Sequence, residues 1–176
     1  MRIFIVNGPP RAGKDTLILF MKTILDMHKI KHMEYSSIEP VKEGLLRMGV
    51  DTRQKTEADR RLLSVVGDAL QEHSDYRTRL SGYMFEEFYD TTLNGVFFLH
   101  IREPDLIKKI ISDPDNKKYQ FITVLLDSPR AEKVTSNISD ADVYNMEYDF
   151  QFNNNGTLGQ LLDIAFNLLN KFQILK

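Results

Sequence analysis

This 176-residue sequence lacks the features that define several classes of protein. It contains no cysteine, so neither disulfides nor thiolate metal sites can form. No apolar run approaches the roughly 18 residues that a membrane-spanning helix needs, and the N-terminus enters an apolar strand instead of a signal peptide. The four histidines show no metal-ligand spacing, and no internal repeat occurs. We therefore expect a cytoplasmic protein that does not contact a membrane.

An excess of charge of one sign is also absent. The formal net charge is -2, which argues against a broad nucleic-acid-binding surface. With 42% hydrophobic and 27% charged residues, the composition is typical of a folded globular chain. We predict a single domain over residues 1–176, since ~100–200 residues per domain is usual. The sequence does not distinguish a monomer from a homodimer.

The most informative stretch is MRIFIVNGPPRAGKDT, at the start of the chain. An apolar run over residues 3–6 is followed by Gly8, four residues, Gly13 and Lys14, which is the spacing of a phosphate-binding loop. Its glycines let backbone N–H groups point at phosphate oxygens, and the following helix adds its positive N-terminal end. An ordinary strand-to-helix turn is the alternative. The candidate nucleotide-binding residues are Gly8, Arg11, Ala12, Gly13, Lys14, Asp15 and Thr16.

Asp15 stands where this pattern usually has serine or threonine. A carboxylate can still hold Mg²⁺, directly or through water, because the ion prefers oxygen ligands. It also adds a negative charge that a hydroxyl would not. We therefore expect Asp15 to be the metal-binding residue, with metal and nucleotide binding together.

The next elements predict a parallel sheet. A strand over about residues 32–36 leads into a helix, for which Ser36 or Ser37 is the expected N-cap. A strand-helix-strand order implies parallel strands with a right-handed crossover, and ligands of such sheets lie at the carboxyl ends of the strands. Ser36, Glu39 and Lys42 should then lie beside the phosphate loop. For Lys42, a solvated helix surface is an equally good interpretation.

A long charged segment follows and reads as two helices broken near residues 73–75. It contains six basic residues, namely Arg53, Lys55, Arg60, Arg61, Arg77 and Arg79. Most such charges form a solvated face. However, binding of a second phosphorylated molecule requires several guanidinium donors, because arginine pairs bidentately with phosphate. We therefore predict substrate-binding roles for Arg60, Arg61 and Arg79 beside Lys42.

The second half of the chain supplies the remaining strands. The run VFFLHI over residues 96–101 is a buried strand that places Arg102 at the ligand edge, and a helix starts near residue 104. Residues 121–126 form a fourth strand. The polar segment over about 127–142, with Arg130 near its start, suits either a lid or a plain surface loop. A short last strand precedes an amphipathic helix with Thr157 as its expected cap.

Several short motifs, in order along nearly the whole chain, resemble those of phage-type deoxynucleoside monophosphate kinases and the related animal-type phosphomevalonate kinases. The phosphate loop GPPRAGKDT has the family's Asp after its Lys, and SIEPVK is similar to the motif after the second strand. The segment EADRRLLSVVGD carries an Arg followed seven residues later by Gly, at Arg60 and Gly67. The segments IRE and DFQFNNNGTLGQL resemble the motifs after the third and last strands.

This resemblance implies an α/β, three-layer P-loop fold with a five-stranded parallel sheet, a helical substrate-binding insertion at about 38–92 and a short lid at about 127–142. It implies that ATP and Mg²⁺ bind at the phosphate loop and that Lys42 and Arg60 bind the acceptor phosphate. Lys14, Arg102 and Arg130 would be the catalytic residues, since phosphoryl transfer depends on positioning and charge neutralisation. Arg102 would contact the transferring phosphoryl group, and Arg130 would act from the lid.

One departure from the family pattern concerns the third strand. His100 stands where the family commonly has an Asp two residues before the strand-end Arg. Either Glu103 or Asp15 then takes over the orientation of metal-bound water, or catalysis is impaired. The leading hypothesis is an ATP- and Mg²⁺-dependent kinase for a small phosphomonoester, most of all a nucleoside or deoxynucleoside monophosphate. The alternatives are a non-catalytic nucleotide-binding protein and a kinase for another acceptor, such as phosphomevalonate or dephospho-coenzyme A.

Overall fold

The computed structural model describes residues 1–54, 56–129 and 142–175. Strands and helices alternate along most of the chain, as the sequence predicts. The strands are β1 (Arg2–Asn7), β2 (His32–Ser36), β3 (Val96–His100), β4 (Gln120–Asp127) and β5 (Phe150–Asn153). The α-helices are α1 (Lys14–Met27), α2 (Glu39–Arg47), α3 (Glu57–Ser74), α4 (Tyr76–Thr91), α5 (Pro104–Ser112) and α6 (Leu158–Lys171).

The five strands form one parallel sheet in the order β2-β3-β1-β4-β5. β1 lies at the centre, paired with β3 on one side and with β4 on the other. Its pairing with β4 continues to Asn7, opposite Leu125. Because β1 and β3 are parallel neighbours, the loops that follow them leave the same edge of the sheet side by side. Parallel α/β sheets bind ligands at this edge.

Helices cover both faces of the sheet, which gives the predicted three layers. One face packs against α1 and α6 through fully buried residues such as Leu17, Met21 and Ala165. The other face packs against α4 and α5, where Phe85 contacts Phe97 at a centroid distance of 5.0 Å. Because both faces are covered, the central strands are continuous apolar runs rather than alternating ones. The predicted α/β, five-stranded parallel fold is confirmed.

The helix boundaries test the predicted caps. Thr157 caps α6 as predicted, with a reciprocal pair of hydrogen bonds to Gln160. The predicted cap of α2 is wrong: the N-cap is Ile38, and no side chain in the described part of the chain caps this helix. Neither Ser36 nor Ser37 serves as the cap, because the Ser37 hydroxyl instead accepts a hydrogen bond from Arg77, 40 residues away.

The break between α3 and α4 falls at Asp75, inside the predicted interval, in a left-handed conformation with φ of 53°. The division of the chain into a helical insertion at 38–92 and a lid at 127–142 remains a prediction. Residues 130–141, which include Arg130 and Lys133, lie outside the described residues, as does Lys55. Among the helices described, none is long and apolar enough to cross a membrane.

Candidate functional site

The loop between β1 and α1 has the backbone of a phosphate cradle. Gly8 has φ of +143°, and a Cβ atom there would lie 2.0 Å from the carbonyl oxygen of Leu126 on β4. Gly13 has φ of +98° and is the N-cap residue of α1. Both positions therefore require glycine, one because the sheet approaches closely and the other because the chain turns into the helix. The N-terminus of α1 faces the loop, where its amide groups favour anions.

Lys14 folds back over this loop. Its ammonium group donates hydrogen bonds to the carbonyl oxygens of Gly8 (2.6 Å) and Pro9 (2.7 Å). These contacts fix the amine at the mouth of the loop, where its charge is available to a phosphate group. Arg11 is exposed in a left-handed conformation with φ of 62°, and Ala12 is buried. Asp15 is exposed and Thr16 half-buried in the first turn of α1.

Two asparagines that the sequence analysis did not single out hold the loop in place. The Asn7 side chain accepts from the Gly8 amide (2.9 Å) and donates to the carbonyl of Arg102 (2.9 Å). The Asn154 side chain donates to the carbonyl of Ala12 (2.9 Å). Asn7 is fully buried, so water does not reach it, and its side chain supplies the hydrogen bonds that the Gly8 amide and the Arg102 carbonyl need. Asn7 is a polar residue at the end of an otherwise apolar strand, and this position could have identified it in the sequence as a residue of the site.

Tyr148 extends this network to the other side of the site. Its hydroxyl accepts from the Asn7 amide (3.0 Å) and donates to the carbonyl of Val143 (2.8 Å). Burial raises the pKa of Tyr148 to about 12, although the hydrogen bond from Asn7 acts in the opposite direction. The phenol is therefore neutral at physiological pH, as a donor to a carbonyl group must be.

A cavity of about 370 Å³ opens beside the phosphate loop, between the first turns of α1 and α6. Its lining consists of Gly13, Thr16, Asn154, Gly156, Thr157, Leu158 and Leu161. Apolar side chains, glycine backbone and a few hydroxyl and amide groups are typical of a small-molecule site. The cavity therefore adjoins the phosphate loop at Gly13 and Thr16.

The end of β3 explains what His100 does in place of an acidic residue. Its Nε2 lies 2.8 Å from a carboxylate oxygen of Glu34 on β2. The other oxygen of Glu34 accepts from Lys22 on α1 (2.5 Å). Partial burial on its own would raise the pKa of Glu34, but the hydrogen bonds from Lys22 and His100 outweigh it and lower this pKa. The imidazole thus joins a charged cluster between α1 and the edge strand.

Glu103 was one of two candidates for orienting metal-bound water, and its contacts argue against that role. Its two oxygens accept from the two terminal nitrogens of Arg77, at 3.0 and 2.8 Å. Burial would raise the pKa of Glu103, yet the hydrogen bonds and the charge of Arg77 hold it below its ordinary value. The carboxylate is ionised but already paired. Asp15, which is exposed, is the better placed of the two candidates.

The predicted basic residues separate into buried and exposed positions. Arg77 is only 3% exposed and lies on the inner face of α4 with Ser81 and Phe85. Arg79, two residues later, is exposed on the opposite side of the same helix. Arg102 is exposed where the chain leaves β3. Lys42 is half-buried and pairs with Glu39 at 2.7 Å, one turn away on α2.

Helix α3 distinguishes Arg60 from Arg61. Gly67 is buried on this helix, and a Cβ atom there would lie 2.8 Å from Cδ1 of Ile38 and 3.7 Å from Cδ of Arg77. Arg60 lies two helical turns before Gly67 and therefore on the same face, which packs toward the segment after β2. Arg61 lies off that face. Both arginines are exposed, and their contacts with a substrate remain a prediction.

The metal prediction rests on Asp15. In the described part of the chain, no group of three or more His, Asp or Glu side chains could hold a metal ion. Mg²⁺ commonly binds through one or two carboxylates together with substrate phosphates and water. A single exposed carboxylate in the first turn of α1 fits that mode, whereas it does not fit a metal site formed by protein alone.

Comparisons with known proteins agree with this geometry at the level of the fold. No protein-family model and no curated protein matches the sequence. Among solved structures, the chain is similar to the APS kinase of Mycobacterium tuberculosis in complex with AMPPNP and APS, with a TM-score of 0.54 and 13% identity over 96% of this chain and 97% of that one. A point mutant of that kinase gives a TM-score of 0.53 at 13% identity, with 96% of each chain covered.

A sugar kinase from Janibacter sp. HTCC2649 is also similar, with a TM-score of 0.50 and 14% identity over 97% of this chain and 95% of that one. These neighbours are P-loop kinases. The chain therefore has a P-loop kinase fold, which confirms the fold that the sequence resemblance implies. Identities this low carry no information on the substrate. They also do not distinguish one kinase family from another.

Proposed function

We propose that this protein is an ATP- and Mg²⁺-dependent phosphotransferase that acts on a small phosphomonoester, most of all a nucleoside or deoxynucleoside monophosphate. The observation that carries the proposal is the phosphate cradle, in which Lys14 closes a loop bounded by Gly8 and Gly13 at the N-terminus of α1. Backbone amides, a helix N-terminus and an ammonium group together favour a polyphosphate.

Two neighbouring features support the binding of a donor nucleotide. Its phosphates would occupy the loop, and its base and sugar would enter the cavity beside Gly13 and Thr16. Mg²⁺, when bound, would supply positive charge that neutralises the negative charge developing during transfer. Asp15 would hold it, directly or through water. The AMPPNP complex of the similar APS kinase supports a nucleotide as the ligand of this fold.

The acceptor would approach from the side of α2 and α3. Arg60 and Lys42 are the candidates for its phosphate, and Arg102 emerges between them and the phosphate loop at the end of β3. Arginine and lysine side chains suffice for this chemistry, because phosphoryl transfer relies on alignment and on stabilising negative charge rather than on a protein nucleophile. Arg61, Arg79 and Arg130 complete the set of proposed contacts.

A second candidate function is nucleotide binding without turnover. It is favoured by one observation, the pairing of His100 with Glu34 at the end of β3, where the family that the sequence resembles commonly has an Asp. Such a protein would bind ATP through Lys14 yet transfer nothing.

The deciding experiment is an ADP-release assay with ATP and Mg²⁺ across nucleoside and deoxynucleoside monophosphates, with phosphomevalonate, dephospho-coenzyme A, APS and simple sugars as further acceptors. We expect turnover with one or a few monophosphates. Lys14→Ala should reduce it on the order of 100-fold or more, as loss of a preorganised charge does. Lys117→Ala is the matched control, because Lys117 is exposed before β4, at the opposite edge of the sheet.

Thermal-shift titrations with AMPPNP should accompany the assay. Stabilisation by the analogue without turnover on any acceptor would replace the proposal by the binding function, and His100→Asp would then be the first variant to test. If AMPPNP does not stabilise the protein and ADP release does not exceed the Lys14→Ala level, both functions are refuted. Lys14→Ala should retain the far-UV circular dichroism of the wild type, because the hydrogen bonds of its amine to Gly8 and Pro9 lie in the loop, outside the strands and helices.

A further inference from the structure

A continuous chain of hydrogen bonds runs along the carboxyl edge of the sheet, from β2 through β3 to β1. Arg77 donates to the hydroxyl of Ser37 (3.0 Å) and to both oxygens of Glu103. Glu103 Oε2 also accepts from the backbone amide of Arg102 (3.2 Å), and the carbonyl of Arg102 accepts from the side chain of Asn7 (2.9 Å). The backbone of Arg102 is therefore held on both sides of its Cα atom.

Stability alone is a poor reason for this arrangement. Arg77 is 3% exposed and the side chain of Glu103 26% exposed, so both charges lose most of their hydration. Buried ion pairs of this kind are often no more stable than apolar residues of the same volume. In addition, Arg77 Nε is buried without a hydrogen-bond partner among the described residues, which is itself unfavourable. What the pair does provide is a rigid, bidentate geometry.

We propose that Arg77 and Glu103 are positioning residues that fix the backbone of Arg102 at the mouth of the site. This inference rests on the proposed function, which assigns the Arg102 side chain to the transferring phosphoryl group. Neither positioning residue touches the substrate. Glu103 orients the Arg102 amide, and Arg77 keeps Glu103 ionised and in place. The guanidinium group of Arg102 then starts from a fixed Cα atom, which matters because a misplacement of about 1 Å can cost 100-fold in rate.

The same pair links Arg102 to the helices that carry the candidate acceptor residues. Arg77 lies in the first turn of α4, and its side chain passes the buried Gly67 of α3. Ser37, which follows β2, receives the remaining hydrogen bond of the guanidinium group. A displacement of α4 thus reaches the Arg102 backbone through two contacts, and a displacement of α3 reaches it through three.

The test compares the double variant Arg77→Met, Glu103→Leu with the wild type. Apolar residues of similar volume should preserve folding, but they cannot accept from the Arg102 amide. We expect the midpoint of urea unfolding to stay near that of the wild type, while exchange of the Arg102 amide proton, measured by NMR, becomes at least about tenfold faster. In the turnover assay, kcat should fall at least about tenfold and KM for ATP should change less than about twofold.

Single variants guard against misfolding of the double variant. Glu103→Gln keeps the side-chain shape and should speed exchange of the Arg102 amide partially. Glu86→Gln is the matched control, because Glu86 forms an exposed ion pair with Lys118 elsewhere and should leave that amide unchanged. Wild-type exchange rates at Arg102 in both the double variant and Glu103→Gln would overturn the inference. A double variant that has both the stability and the kcat of the wild type would overturn it as well. Absence of turnover in the wild type would refute the proposed function alone, since amide exchange still decides the positioning role.

Discussion

Substitution of Gly8 by alanine tests whether the phosphate loop has the conformation described. Two costs apply to Gly8→Ala. A residue with a side chain at φ of +143° is strained by about 1–3 kcal/mol. The new Cβ atom would lie 2.0 Å from the carbonyl oxygen of Leu126, and overpacking of this kind costs about 1–3 kcal/mol. The overlap is hard to relieve, because Leu126 belongs to β4, which pairs with β1 as far as Asn7.

The expected loss in free energy of unfolding is therefore about 2–6 kcal/mol, a large part of the roughly 5–15 kcal/mol typical of a domain. Two glycines of the same chain separate the two costs. Gly49 has φ of +87°, but among the described residues no atom beyond Gly49 and its two neighbours lies within 4 Å of the position that a Cβ atom would take, so Gly49→Ala should lose only about 1–2 kcal/mol. Gly44 lies inside α2, again with open space where the Cβ atom would be, and Gly44→Ala should gain about 0.5–1 kcal/mol.

The assay is equilibrium urea unfolding followed by circular dichroism, with AMPPNP binding measured on each folded variant. The midpoints should decrease in the order Gly44→Ala, wild type, Gly49→Ala, Gly8→Ala, and Gly8→Ala should also lose nucleotide binding. A Gly8→Ala midpoint equal to that of Gly49→Ala would show that β4 does not approach the loop as closely as described. Wild-type affinity for AMPPNP in Gly8→Ala would contradict the assignment of this loop to phosphate.

Two further predictions concern stability. Thr157→Ala should lower the free energy of unfolding by about 0.5–2 kcal/mol, because it removes the capping hydrogen bond to Gln160. Thr157→Ser keeps a hydroxyl group and should retain most of that stability. Equal melting temperatures for the two variants would contradict the capping role. Folding lowers the pKa of Glu103 from its ordinary value of 4.5. The ion pair with Arg77 therefore stabilises the fold fully at a pH above 4.5, and this stabilisation is lost as the pH falls through the lower, folded-state pKa. The stability advantage of wild type over Glu103→Gln should consequently shrink as urea unfolding is repeated at lower pH, and a difference independent of pH would argue against the ion pair.

The sheet could be predicted from sequence because its signals are local. Each central strand is a short apolar run bounded by turn residues, and the alternation of strands and helices implies parallel pairing. The cap at Thr157 is local as well, since its partner Gln160 lies three residues away. The cap predicted at Ser37 failed for the opposite reason. Its hydroxyl bonds to Arg77, and no nearby residue signals that contact.

The basic residues of α3 and α4 show where local patterns stop being sufficient. Arg77 and Arg79 look alike in sequence, but one is buried and paired while the other is exposed. The periodicity of α4 contained a clue, because Arg77 shares the inner face with Ser81 and Phe85, four and eight residues later. The partner Glu103 was not predictable in this way, since it lies 26 residues further along the chain, between β3 and α5. Assignment of the buried arginine therefore required the tertiary fold.

The carboxylates around the phosphate loop determine how a metal ion can bind there. Glu103 is engaged by Arg77, Glu34 by His100 and Asp127 by the hydroxyl of Tyr144. Each already accepts hydrogen bonds from protein groups, so a divalent ion would have to displace a partner to reach it. Asp15 is exposed in the first turn of α1 and can supply one oxygen ligand. Under the proposed function, the other oxygen ligands of Mg²⁺ would come from phosphate groups and water, so we expect metal binding to depend on nucleotide binding.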